Sequence, residues 1–197
     1  MSPQIEHPMR LQNFRCAYGA SLLAVCLVTA SPMAAGQTPA SVEPLAIAAD
    51  DAPALPYDAG ALRLLVPSAR TGGAYALVEL IEQPPYRTPA HVHPQLDESF
   101  YVLEGALALE MDGIAYRLPA GSYVDIPRGT VHSQGSADGQ PVRLLTRLSP
   151  GGFEQFFLDR VELARSIGRD HHDFQQRMME IVRRYPQWLG PAPPAEE

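Results

Sequence analysis

Between Ala61 and Leu148 the chain alternates short apolar and β-branched runs with glycine and proline: Leu62–Val66, Ala74–Ile81, Ser99–Leu103, Leu107–Met111, Ile114–Leu118, Ser122–Ile126 and Val142–Leu148. Runs of this length at close spacing predict the strands of a sandwich or barrel. Asp112-Gly113 predicts a two-residue hairpin turn, because type I′ geometry needs positive φ at both central positions. Leu107, Leu109 and Met111 then share one face, with Ile114, Tyr116 and Leu118 across from them. Ile126-Pro127-Arg128-Gly129 predicts a type I turn just ahead of His132.

Past Pro150-Gly151-Gly152 the period lengthens. Phe153, Phe156, Phe157, Val161 and Ala164 fall on one face of a helix. Phe174, Met178, Ile181, Val182 and Tyr185 define a second helix, with Asp170 placed to cap it and Pro186 to end it. Both stripes are expected to pack against the sheet or a second subunit, in preference to lining a ligand site. Gly190–Glu197 reads as a disordered tail. Residues 37–60 carry Pro39, Pro44, Pro53 and Pro56 among Ala, Ser and Asp, a composition for an extended linker. Ahead of it, Arg10 and Arg15 precede an apolar stretch from Cys16 to Ala30 and small residues through Gly36. Residues 1–36 therefore read as an export signal, cleaved after Ala30 or Gly36, and predict a periplasmic or secreted protein with no membrane contact once cleaved. The expected organisation is a signal at 1–36, a linker at 37–60, a barrel at 61–149, a helical extension at 150–189 and a tail at 190–197.

Composition removes whole classes of chemistry. The chain has 197 residues, 46% hydrophobic and 19% charged, which suits one globular domain. Its 15 basic residues are all arginine and its net charge is −7, which argues against nucleic acid as a partner. Without lysine there is no Schiff-base or pyridoxal-phosphate chemistry through a protein amine. Cys16 and Cys26 both lie in the apolar run, so a cleaved chain has no disulfide, thiolate metal site or cysteine nucleophile. No serine elbow, phosphate loop or dinucleotide glycine pattern is present.

What remains is a constellation of His91, His93, Glu98 and His132. Residues i and i+2 of a strand point to one side, so His91 and His93 can aim two imidazoles at one point. Glu98 stands at an odd offset from His93 and reaches the same side only if the chain bends, for which Pro94 gives a reason. Three imidazoles and a carboxylate suit a divalent metal: an octahedral ion keeps two positions open for water, oxygen or a chelating substrate, and a tetrahedral ion is closed. Iron, manganese, nickel, copper and zinc are not distinguished by such a donor set. His171-His172 is expected to be a solvated helix start, since adjacent residues on a helix diverge by about 100°.

These residues resemble the two motifs of the cupin superfamily. The first, G-x5-H-x-H-x3,4-E-x6-G, is met by His91, His93, Glu98 and Gly105, with Pro85 in place of the opening glycine. The second, G-x5-P-x-G-x2-H-x3-N, is met by Gly121, Pro127, Gly129 and His132, with Ser136 in place of the closing asparagine. The resemblance implies an all-β fold, a double-stranded β-helix or jelly-roll barrel with two C-terminal helices, and a metal held by His91, His93, Glu98 and His132. It also implies a dioxygenase-like enzyme acting on a small enolizable or aromatic hydroxylated compound, with Glu98 as catalytic base as well as ligand. The alternatives are a redox-neutral isomerase or lyase, and a non-catalytic module that binds a small molecule. Phe100, Val102 and Gln134 are expected to line the pocket, the first two as same-face neighbours of Glu98 and the third as a group behind the ligands. Apolar positions on both sides of hairpin 107–118 predict a homodimer.

Overall fold

Alternation of buried and exposed residues along the strands builds two antiparallel sheets whose apolar faces meet. The computed structural model describes residues 43–48 and 51–192; residues 1–36, read above as an export signal, and parts of the segments read as linker and tail lie outside the described residues. Chain order is β1 (Leu55–Tyr57), β2 (Gly60–Val66), β3 (Ala76–Glu82), β4 (His91–Val92), β5 (Asp97–Glu104), β6 (Ala106–Met111), β7 (Ile114–Pro119), β8 (Tyr123–Ile126), β9 (His132–Ser136), β10 (Val142–Ser149), α1 (Glu154–Ile167), α2 (Phe174–Val182) and β11 (Gly190–Pro191). One sheet runs β1-β2-β3-β10-β5-β8 and the other β11-β4-β9-β6-β7. From β3 to β10 the chain passes repeatedly from one sheet to the other, pausing only for the β6–β7 hairpin. This is the double wrap of a double-stranded β-helix, all-β with C-terminal helices, as the sequence predicts.

Val78, Leu80, Phe100, Val102, Leu144 and Leu148 of the first sheet meet Leu107 and Leu109 of the second in a continuous buried core. The predicted hairpin is present, with Leu109 opposite Tyr116 and Leu107 opposite Leu118. Its turn residues Asp112 and Gly113 have φ of 45° and 78°. The turn before His132 differs from expectation: the closing bond runs from Thr130 N–H to Pro127 O, one residue later, and Gly129 has φ of 85°. Positive φ at the third position belongs to a type II turn and selects glycine there.

Three further differences bear on the site. Leu55–Tyr57, within the segment read as linker, pairs with β2, because Leu55 and Tyr57 find apolar cover that their neighbouring prolines do not prevent. Gly190–Pro191, read as tail, pairs with β4. Asp170 does not cap α2, which starts at Phe174 after Asp173. No helix among the described residues is long and apolar enough to cross a membrane.

The helices are tied to the barrel at their root. Buried Glu154 accepts hydrogen bonds from the backbone N–H of Ser68 at 2.9 Å and of Gly152 at 2.6 Å, joining the start of α1 to the β2–β3 connection. Replacing Glu154 by alanine strips these two donors of their partner. A loss of about 1–3 kcal/mol is expected, measured by urea unfolding against the unmodified chain.

Candidate metal centre

Four elements deliver one donor each to a common point. His91 on β4 and His132 on β9 are direct cross-strand partners. His93 follows immediately after β4, where the chain bends before β5, and its backbone O accepts from Gly129 N–H at 2.9 Å. That bend turns Glu98, the second residue of β5, toward the histidines, as Pro94 led us to expect. One ligand atom from each of the four lies within 4.8 Å of every other. Glu98 Oε2 is 3.2 Å from His132 Nε2 and 3.4 Å from His93 Nε2. Donors bonded at about 2.1 Å to one ion stand roughly 3–4 Å apart, so the cage has the right size. None of the four is more than 9% exposed.

Orientation comes from behind each ring. His91 Nδ1 donates to Pro89 O at 2.8 Å, His132 Nδ1 to Thr130 O at 3.0 Å, and His93 Nδ1 to Trp188 O at 2.5 Å. A carbonyl only accepts, so each Nδ1 carries a proton and the Nε2 of each ring is the atom that faces the cage. Two of these carbonyls lie two residues upstream of their histidine. The third lies 95 residues downstream, in the segment that leads into β11.

Protonation follows from burial and proximity. Burial, with the neighbouring His132 and His93, pushes His91 down to about 4, so it is a free base near neutrality. Burial alone would raise the Glu98 carboxyl, but hydrogen bonds to His132 and His93 outweigh it and hold the group well below the usual carboxylate range. Burial draws His132 down while its bond to Glu98 draws it up, and the bond prevails. Three Nε2 atoms around one carboxylate are a donor set that fits a divalent cation, which would take the place of the protons shared with Glu98.

The cage opens onto a cavity of about 440 Å³. The aromatic and methionine stripes, expected to serve packing alone, form its walls: Phe153, Phe156 and Phe157 at the start of α1, and Met178 and Val182 of α2. The Phe153 ring stands 5.1 Å from that of His93. Gln134 lines the cavity. Phe100 and Val102 do not; both are fully buried in the core, because successive inward residues of β5 descend from the mouth at Glu98 into the barrel.

Residues not predicted also line the cavity. Glu82 closes the inward row Ala76, Val78, Leu80 of β3, and strict alternation carried one position further would have found it. Tyr57 and Arg160 come from β1 and α1, and nothing in their sequence spacing links them. Burial pushes the Glu82 carboxyl up to about 7; Gln134 and Arg87 draw it down, while Glu98 and Asp58 add to the rise. A second group, His171, His172 and Asp173, also brings its donor atoms together, since it lies in a turn before α2 where helical divergence does not apply. His172 there is 83% exposed.

Residues 79–147 match the family described as Cupin domain. Quercetin 2,3-dioxygenase of Bacillus subtilis (strain 168) is 32% identical over 95 residues, covering 48% of this chain and 28% of that protein. Polyketide synthase CurC of Streptomyces cyaneus is 32% identical over 92 residues, covering 46% of this chain and 60% of that one. The chain thus spans less than two thirds of either relative. Among solved structures, KdgF from Halomonas sp. superposes with a TM-score of 0.49 at 17% identity, over 55% of this chain and 96% of that one.

Two outcomes are expected. A chain ending at Gln187 loses the carbonyl that orients His93, and its affinity for zinc in a chelator competition falls about 10–100-fold while the barrel's circular dichroism is retained. For Glu82 the folded value of about 7 lies above the unfolded 4.5. The folded state therefore holds the extra proton, and the stability this contributes is present below pH 4.5 and lost as pH rises through 7. Glu82→Gln removes that loss, so above pH 7 the variant unfolds at a higher temperature than the unmodified chain, read by thermal melts across the pH range.

Proposed function

This chain belongs to the cupin superfamily, and on that premise we propose that it is a metal-dependent, dioxygenase-like enzyme acting on a small enolizable or aromatic hydroxylated compound. The observation that carries this is the placement of the four-donor cage in the wall of an apolar, aromatic-lined cavity. His91, His93, Glu98 and His132 would hold one divalent ion, among Fe, Mn, Ni, Cu and Zn. When bound, such an ion acidifies a ligand hydroxyl and, if redox-active, links the substrate's electrons to dioxygen.

The chain's own residues do the rest. Phe153, Phe156 and Phe157 exclude water and present flat surfaces to a flat ligand. Arg160 is occupied: its guanidinium meets both Asp58 oxygens at 2.6 and 2.7 Å, bonds the Tyr57 hydroxyl and stacks over the Tyr57 ring. No free cation is thereby offered to a phosphate or carboxylate among the residues lining the cavity. Glu98 Oε2 is placed to take a hydroxyl proton. Because its proton affinity is low, it does so only from a hydroxyl already acidified, and ligation is its main task.

A redox-neutral reaction or binding without turnover at the same cage is the second reading, favoured by the similarity to a polyketide synthase component. The proposal also includes export, from the signal-like run at 1–36, and self-association, supported by exposed Ile114, Tyr116, Tyr101 and Tyr123 on the outer strands.

Oxygen consumption in the presence of flavonols, catechols or β-diketones tests the enzyme class. Uptake by metal-loaded protein, falling at least 100-fold in His132→Ala, is expected. Conversion that proceeds equally under nitrogen selects the redox-neutral reading, and tight binding with no turnover in either atmosphere selects the binding module.

A further inference from the structure

Two buried residues beside the cage have no task in what has been described. Glu82 ends the inward row of β3 and is 7% exposed; Gln134, two residues after His132 on the same face of β9, is 6% exposed. Both line the cavity. Each keeps one oxygen, Glu82 Oε2 and Gln134 Oε1, without any hydrogen-bond partner. Buried acceptors left unpaired are rare and costly, and where they border a ligand cavity the missing partner is most economically the ligand. In the neighbouring polar wall the terminal nitrogens of Arg160 are paired with Asp58 and Tyr57, and the one atom left over there, Arg160 Nε, is a donor and not an acceptor.

We propose that Glu82 and Gln134 are a specificity site for a second hydroxyl of the ligand, distinct from the oxygen that faces the cage. This deepens the reading given above and rests on it. The chemistry singles out the hydroxyl group. A ketone or ether could accept only from a protonated Glu82 and would set its lone pairs against Gln134 Oε1, and a carboxylate or phosphate would meet the Glu82 carboxyl with no free cation to offset it. With burial holding Glu82 near neutrality, the carboxyl exists in both protonated and ionised forms around pH 7. A hydroxyl both donates and accepts, so it suits either form. The preferred ligand is therefore an uncharged aromatic or enolic compound with at least two separated hydroxyls.

The test uses the full metal-loaded chain without oxygen and measures equilibrium binding of flavonol and of derivatives bearing one added hydroxyl, ring position by ring position. One derivative is expected to bind about tenfold more tightly than the parent. That advantage should shrink below about twofold in Glu82→Leu and in Gln134→Leu, each derivative being compared with the parent compound bound to the same metal-loaded variant. The first comparison needs no variant, so it stands even if a leucine disturbs the fold. Parent binding with no gain for any derivative, or a gain that persists in both variants, overturns the specificity site and leaves the enzyme reading standing. Failure of the unmodified protein to bind parent and derivatives alike overturns the aromatic-substrate reading and this inference with it.

Discussion

The organisation of the molecule turns on bringing three imidazoles and one carboxylate to one point while keeping every Nε2 turned inward. Burying four such groups side by side is unfavourable by itself: each gives up water, and two histidines compete for one carboxylate oxygen. The structure offsets this by assigning every Nδ1 proton to a backbone carbonyl. Rings held in this way cannot rotate to satisfy themselves elsewhere, so the cage is set up before any cation enters.

The barrel and the helices contribute differently. Strands β4, β5 and β9 fix the positions of His91, Glu98 and His132 through pairing and through the bend between β4 and β5. The helices do not donate to the cage, yet they convert an open barrel mouth into an enclosed apolar space. The cage and its polar neighbours thus lie on the barrel strands, and most of the apolar cover lies on the helices. The same barrel can serve several chemistries, and the helical extension shapes the cavity onto which the cage opens.

Much of this was legible in the order of residues. The hairpin at Asp112-Gly113, the strand runs and the two helices follow from local periodicity, and the four ligands follow from motif spacing that strand geometry makes meaningful. Tertiary contacts were not legible. β1 and β11 are too short to show alternation and exist because they cover the edges of other strands. Phe100 and Val102 share a face with Glu98 but lie deeper, and depth along a strand is not a property of sequence parity. Glu82 shows the converse: the alternation that placed Val78 and Leu80 inward extends to it, and its charge concealed an inward position.

The link from His93 to Trp188 carries a further implication, for the order of events during synthesis. Two imidazoles acquire their alignment from carbonyls translated moments earlier, whereas the third waits for a residue that leaves the ribosome 95 positions later. In a growing chain the His93 ring therefore gains its carbonyl partner only once Trp188 has been made, long after the four donors themselves are in place.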